Sequence, residues 1–500
     1  MSDLFAHLAL GFSVALSAQN VALAFVGCFV GTLIGVLPGV GPIATITMLL
    51  PVTFGVDPVG ALIMLAGIYY GAQYGGSTTA ILVNIPGEVT AVVTTLDGHE
   101  MAKQGRAGAA LGIAAIGSFF AGCLATLVIA GLALPLTRLA LVFGAAEYFS
   151  LMAMGLVLAV VLVRGSVLKA LSTLLIGLLL STVGTDLETG VERMTFGYPP
   201  LSDGIDFAVL AMGLFGFAEV LRNLDIEVAR DVVGQAIGRV LPSREELKRS
   251  VAPILRGSVV GAALGILPGN GAVLGPFASY TLEKKLAKDP RRFGRGAIEG
   301  VAGPESANNA GAQTSFIPLL TLGIPPNAVM ALMVGAMTIH GIVPGPLVMT
   351  RNPRLFWGII VSMWIGNLML LVINLPLVRL WVTFLKVPYR LMFPAILLFS
   401  CIGIYSVNNS PSDVVFTAAF GLVGYAFSKL GFESAPLLLG YVLGRLMEEN
   451  LRRALAISRG DPATFIQRPV SGALLMVAAL VLLLAVTPAM RKKREQVFVE

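Results

Sequence analysis

Long apolar stretches, punctuated by glycine and proline, run from the first residues of the chain to Thr487. A helix that crosses a bilayer needs about 20 consecutive, mostly apolar residues. Eight runs meet or approach that length: Ala107–Thr137, Leu139–Val163, Leu168–Gly184, Phe207–Leu221, Phe356–Leu377, Leu391–Tyr405, Val414–Phe427 and Gly472–Thr487. Four further stretches, 20–56, 58–96, 251–280 and 296–350, are broken internally by Gly and Pro. In lipid each backbone N–H and C=O must find its partner within the protein, so these segments are expected to be helices. The pattern predicts an all-α polytopic membrane protein with about 10–14 membrane segments.

Composition agrees. Apolar residues make up 56% of the chain and charged residues 12%, against roughly 25% in ordinary soluble domains. Mean hydropathy is +0.85. The net charge of +6 does not indicate a nucleic-acid partner, because no basic patch is interleaved with aromatics and the Lys and Arg lie in loops. The N-terminus lacks the basic region of a cleaved signal, so the first apolar run is expected to stay in the membrane. Cys28, Cys123 and Cys401 lie far apart in apolar runs, read as small buried hydrophobes without metal-ligand spacing.

A repeat organises the chain. Gly31-Thr-Leu-Ile-Gly35-Val-Leu37-Pro38-Gly39-Val-Gly41 returns as Gly261-Ala-Ala-Leu-Gly265-Ile-Leu267-Pro268-Gly269-Asn-Gly271, with six of eleven positions identical. Three regions follow: a membrane repeat at 1–221, a charged cytoplasmic or interfacial linker at 222–256, and a second repeat at 257–500 with a basic cytoplasmic tail at Arg491–Arg494. Residues 1–102 contain no Lys or Arg, whereas basic residues flank the second motif on both sides, in 222–256 and in 281–295. By the positive-inside rule the hairpin at 257–280 opens to the cytoplasm and the first opens outward. Two equivalent re-entrant or broken helical hairpins opening to opposite faces make an inverted-topology repeat.

The breaks are the first candidates for binding. Pro38 and Pro268 each remove an N–H donor, while Gly39, Gly41, Gly269 and Gly271 permit close approach. Carbonyls freed there suit a Na⁺ near Gly39 and Gly269, its ligands left open, and freed N–H groups suit a carboxylate. Tight turns or small-residue packing are the plainer alternative. A polar segment follows each motif: Tyr69–Thr79 with Asn84-Ile-Pro86-Gly-Glu88, and Pro304–Ser315 with Gly323-Ile-Pro325-Pro-Asn327. Both share Gly-Ala-Gln, a hydroxyl pair and Ile-Pro. From these segments Ser77, Thr78, Thr79, Asn84, Pro86, Glu305, Asn308, Asn309, Thr314, Ser315 and Pro325 are expected to bind substrate or ion.

Of the carboxylates in apolar context, Glu305 is placed near the site; Glu88, Asp97, Glu147, Asp186, Glu219 and Asp413 are weaker candidates. His7, His99 and His340 are isolated and read as loop or core residues. No nucleotide-binding Gly-x-x-x-x-Gly-Lys loop, zinc-type His-Glu-x-x-His or Gly-x-Ser-x-Gly elbow is present, so the chain is not expected to be an enzyme.

These motifs, Leu-Pro-Gly-x-Gly twice, Tyr70–Ser77, Asn84–Gly87, Gly303–Ala310 and Leu322–Pro326, resemble those of the large permease subunit of the tripartite tricarboxylate transporters. The resemblance runs from about residue 10 to 490. It implies a small four-helix membrane subunit and a periplasmic solute-binding protein as partners. It also implies import of organic carboxylates, coupled to Na⁺ or H⁺, across the bacterial inner membrane. No other cofactor is implied. A gated channel for organic anions is the alternative; it would not need paired helix breaks. Replacing Asn270, which stands where the first motif has Val40, with leucine is expected to abolish uptake while the protein still folds; normal uptake in vesicles would move the site elsewhere.

Overall fold

The computed structural model describes residues 2–37, 41–140, 143–161, 166–186, 188–224, 240–267, 271–385 and 389–486. Among these the chain is helical apart from a short antiparallel ribbon, Gly184–Thr185 against Glu192–Arg193. The first half contains α1 (Ser2–Ala15), α2 (Ala18–Val36), α3 (Pro42–Leu49), α4 (Pro58–Val83), α5 (Ala107–Ala140), α6 (Ala145–Val161), α7 (Val167–Leu180) and α8 (Phe207–Leu224). The second contains α9 (Arg244–Gly265), α10 (Gly271–Leu286), α11 (Glu299–Thr314), α12 (Phe316–Leu322), α13 (Ala328–Ile339), α14 (Pro353–Asn374) and α15 (Val378–Leu385). It continues with α16 (Tyr389–Asn408), α17 (Pro411–Leu430), α18 (Ala435–Ile457) and α19 (Pro469–Val486). Among the described residues, five helices are long and apolar enough to cross a membrane: α2, α5, α8, α14 and α17.

Local chemistry sets the helix ends. Asp57 caps α4, accepting from the Val59 and Gly60 N–H groups, with Pro58 at the first helical position. A capping box joins Ser243 and Glu246 at the start of α9. The helix then runs unbroken through residues 256 and 257, so linker and hairpin share one helix. Leu37, the residue before a proline, is extended at φ −88° and ψ 101°, and α2 stops there. Two helices end alike: α4 at Asn84 (φ 57°) and α12 at Gly323 (φ 74°), each left-handed and each followed by Ile-Pro. The stretch 58–96 breaks after Val83, at Asn84 and the Ile-Pro that follows, while α4 before it is continuous through its glycines, since glycine without proline leaves the hydrogen-bond ladder intact. Helix α18 was not among the expected spans, because Arg445, Glu448, Glu449, Arg452 and Arg453 interrupt its apolar pattern.

Two glycine-faced helix pairs form the centre. A Cβ added at Gly27, Gly31 or Gly35 of α2 would stand 2.2, 2.4 or 2.4 Å from the carbonyl oxygens of Met64, Ile68 and Ala72 on α4. A Cβ at Gly257, Gly261 or Gly265 of α9 would stand 2.2, 2.1 or 2.3 Å from those of Gly303, Ala307 and Gly311 on α11. Only glycine lets these backbones approach so closely. The contacts also fix which residues correspond: Met64 with Gly303, Ile68 with Ala307, Ala72 with Gly311, and in the same register Asn84 with Gly323. The shared Gly-Ala-Gln is one residue out of this register, because glycine contacts and not the amides set the packing.

Ion pairs mark two ends of the molecule. At one, Arg106 meets Glu246 at 2.7 Å, Arg249 meets Glu299 at 2.9 Å and Arg256 meets Glu283 at 2.5 Å. At the other, Glu147 meets Arg468 at 2.5 Å, while Arg452 meets Asp186 at 3.0 Å and Glu188 at 3.1 Å. Helix α5, 34 residues and so about 51 Å long, separates Arg106 from Glu147.

Gly261→Leu is expected to lower the unfolding midpoint in detergent markedly, since overpacking of this kind costs about 1–3 kcal/mol or more. Gly41→Ala is the control, with nothing within 4 Å of the added carbon. Equal midpoints would refute the close-contact account.

Candidate functional site

A buried carboxyl group lies where the halves touch. Glu305, on α11, is 1% exposed. Its Oε2 accepts from the Ser77 hydroxyl of α4 at 2.5 Å, and its Oε1 from the Thr94 hydroxyl. Both donors belong to the first half. The Ser118 hydroxyl of α5 reaches the Glu305 carbonyl at 3.5 Å and accepts from Asn309 Nδ2 at 2.6 Å. A second chain of amides and a hydroxyl runs beside it: Gln313 donates to Asn367 at 2.8 Å and accepts from Thr126 at 2.9 Å.

Glu305 makes no ion pair among the described residues, and none of the buried ones is Lys or Arg. An uncompensated buried charge is costly, so a proton or a cation must accompany the carboxylate. Ser77 has one hydroxyl hydrogen and two acceptors within reach, Glu305 Oε2 and the Gln73 carbonyl at 2.9 Å. A proton on Glu305, donated to Ser77 Oγ, frees Ser77 to serve Gln73; a Na⁺ among these oxygens would balance the charge instead.

Further polar atoms here lack partners. Tyr74 Oη, Asn308 Oδ1 and Nδ2, Asn309 Oδ1, Gln73 Nε2, Asn367 Nδ2, Asn374 Oδ1 and Glu88 Oε2 are buried without a hydrogen bond among the described residues. Buried polar groups are nearly always paired, by protein or by ordered water, so these atoms are free to take water or a polar ligand. Tyr74, Ser77, Thr78, Ser118, Glu305 and Asn374 line a cleft of about 10 Å³, room for one water and too small for an organic acid.

The comparisons place the chain. Residues 21–439 match the tripartite tricarboxylate transporter TctA family. The chain belongs to that family. It is 56% identical, over the full length of both chains, to an "uncharacterized 52.8 kDa protein in TAR-I ttuC' 3'region" of Agrobacterium vitis. An "uncharacterized protein in TAR-II ttuC' 3'region" of the same organism is 60% identical over 240 residues, 48% of this chain and 99% of that one. No solved structure matches.

The TctA chain gathers some of the expected site residues and not others. Ser77, Glu305 and Asn309 share one hydrogen-bonded cluster, Thr78 lines the cleft, and Asn308 is buried beside Asn309 on α11. Thr79 and Ser315 do different work. Thr79 donates toward the Gly35 and Val36 carbonyls at 3.2 and 3.0 Å, and Ser315 toward the Gly265 carbonyl at 3.2 Å. Each hydroxyl serves carbonyls at a helix break that were expected to be free for a cation. Thr314 bonds back to its own helix. Asn84 is exposed and serves as the left-handed end of α4, away from the cluster. Pro86 and Pro325 occupy the Ile-Pro turns, with Pro325 buried; Gly41 precedes α3 and Gly271 opens α10. Gly39, Gly269 and Asn270 lie outside the described residues.

Thr94, Ser118, Thr126 and Asn367 were missed. Ser118 and Thr126 were visible as the rare polar residues of an otherwise apolar span, whereas nothing in sequence distinguishes Thr94 from its neighbours. The weaker carboxylate candidates Glu147, Asp186 and Glu219 are tied into ion pairs, and Asp413 accepts from Asn408 at 2.9 Å.

Asp97 has a separate role. It is fully buried, and its Oδ1 accepts from the N–H groups of Gly294, Arg295, Gly296 and Ala297 at 2.7–3.1 Å, just before α11. Tyr280 donates to its Oδ2 at 3.0 Å. A carboxylate at a helix N-terminus with several N–H donors is strongly held. Asp97→Ala is expected to cost about 3 kcal/mol of stability, since each bond to a charged group contributes about 1.5–3 kcal/mol and the freed donors can rehydrate in part. Asp97→Asn is expected to recover part of the loss. An unchanged unfolding midpoint for the alanine variant would contradict this role.

Proposed function

We propose that the chain is the large membrane subunit of a binding-protein-dependent secondary transporter that imports organic carboxylates with H⁺ or Na⁺. A small four-helix membrane subunit and a periplasmic solute-binding protein complete the system, and it works in a bacterial inner membrane. The observation that carries this reading is Glu305, a buried carboxyl group held by hydroxyls of the opposite half and surrounded by unpartnered polar atoms.

The core electrostatics favour symport. A carboxylate entering this region meets Glu305 and Glu88 and no buried Lys or Arg among the described residues. Moving an unpaired anion through such a medium costs many kcal/mol, so it must travel with cations. An open anion channel would instead be expected to line its path with fixed positive charge.

An inverted repeat is part of the proposal. The matching glycine contacts of α2–α4 and α9–α11 support two equivalent units. The basic residues near Arg249 and Arg295 favour a cytoplasmic face for that end. Helix α19, leading away from the Glu147–Arg468 end, then carries the C-terminus to the cytoplasm. The closed cleft must open to admit an organic acid, which fits alternating access, with an elevator-like movement as one form of it.

Vesicles containing all three subunits test the idea. Glu305→Gln is expected to abolish accumulation driven by an imposed H⁺ or Na⁺ gradient while keeping exchange of labelled for unlabelled substrate. Accumulation at the normal level in that variant would overturn the coupling role. Wild-type uptake indifferent to both gradients would overturn symport itself.

A further inference from the structure

The end of the molecule marked by Arg106 holds a second cavity, of about 440 Å³, away from Glu305. Five arginines line it: Arg106, Arg249, Arg291, Arg292 and Arg295. They come from three places, the turn before α5, the first turns of α9 and the loop between α10 and α11. Folding, and not a run of basic sequence, brings them together.

Three of the five are already committed. Arg106 pairs with Glu246 and donates to the Gly296 carbonyl at 3.2 Å. Arg249 grips Glu299 through both Nε and Nη2, and Arg292 reaches the same carboxylate at 3.2 Å. Asp289 spends an oxygen on the Arg291 backbone N–H at 3.1 Å. Arg291 and Arg295 form no ion pair among the described residues. Five guanidinium groups thus face Glu246, Glu299 and Asp289, a surplus of two positive charges around an open space. Asp97 is not among the residues that line the cavity; it lies behind the loop, where four backbone N–H groups just before α11 hold its carboxylate.

We propose that this arginine pocket binds a terminal phosphate group, a monoester or free phosphate, which carries about 1.5–2 negative charges near neutral pH. Planar guanidinium groups match phosphate oxygens in pairs, and arginine is favoured over lysine where that geometry matters. The group belongs either to an anionic phospholipid at the membrane surface or to a soluble phosphate compound. Basic pockets at the cytoplasmic ends of membrane helices suit lipid head groups of this kind. A ligand here would bridge Gln104 and Arg106 of the first half to the loop Asp289–Ala297 of the second, where Gln104 already donates to the Arg295 carbonyl at 2.9 Å. The bridge spans the same junction that Asp97 pins.

Binding to the purified protein in detergent tests the site, read by native mass spectrometry and by the shift in unfolding midpoint. The probes are phosphatidic acid, phosphatidylcholine and inorganic phosphate. The test variant is Arg291→Gln/Arg295→Gln, which keeps every ion pair described above. The control is Lys284→Gln/Lys285→Gln, which removes the same charge from α10 outside the pocket. The expected result is binding of phosphatidic acid or inorganic phosphate that weakens roughly tenfold or more in the arginine variant and not in the lysine variant, a loss of about 1.4 kcal/mol. Binding of phosphatidic acid without inorganic phosphate assigns the site to lipid; binding of both assigns it to the phosphate group itself. Equal weakening in both variants would reduce the effect to general surface charge and overturn the proposal, as would no binding of either phosphate probe.

Discussion

The structure depends on backbone-to-backbone contact between paired helices. Three glycines spaced four apart on α2, and three on α9, let each helix lie against its partner's carbonyl oxygens. In a bilayer little hydrophobic force holds one helix to another, so this close packing has to supply the cohesion. It also makes the breaks tolerable. Where α2 and α9 end, the partner helix is near enough for Thr79 and Ser315 to serve the last carbonyls. Without that proximity the interrupted backbone would leave polar groups unpaired in apolar surroundings.

The same contacts show how the two units divide the chemistry. In the register they fix, Glu305 corresponds to Ala66, Asn308 to Tyr69 and Asn309 to Tyr70. The second unit thus contributes a carboxylate and two amides where the first has an alanine and two aromatic rings. The first unit answers with Ser77, Thr78 and Thr94. Equivalent backbones carry complementary side chains, and Glu305 needs both to be satisfied.

Much of this was legible in the sequence because membrane helices leave strong, local marks. The long apolar runs located α5, α14 and α17 within a few residues, and the repeated Leu-Pro-Gly-x-Gly located the helix ends at Leu37 and Gly265. Glu305 stood out because a carboxylate amid small and amide residues is expensive to bury. What stayed hidden depends on distant partners. Asp97 ranked only among the weaker carboxylate candidates, yet it meets a loop about two hundred residues away in sequence. Asn84 looked like a ligand, because an asparagine ending a helix left-handedly has the same one-letter context as one that binds. Thr94 carries no signal at all, since its value comes only from the proximity of α11.

The position of Glu305 constrains what movement in the proposed transport cycle can be. Sliding within a glycine-faced pair would drive backbone into backbone, so each pair must move as a unit. Motion therefore belongs between units, and the bonds that cross between them include Ser77 and Thr94 to Glu305, Asn309 to Ser118, Thr126 to Gln313, and, at the far end, Asp97 to the loop before α11, beside the bonds of Arg106 to Glu246 and Gln104 to Arg295. The first two end on the same carboxyl group. Its occupancy by a proton or a cation alters the hydroxyl bonds that hold the units together, and a ligand shifts a conformational equilibrium only through such a difference between states. The Asp97 junction has no such variable partner among the described residues, only backbone N–H groups and the Tyr280 hydroxyl. In the proposed cycle the Glu305 crossing would respond to the ion and the Asp97 junction would not, so relative movement is expected to be released at Glu305 while the Asp97 end stays joined.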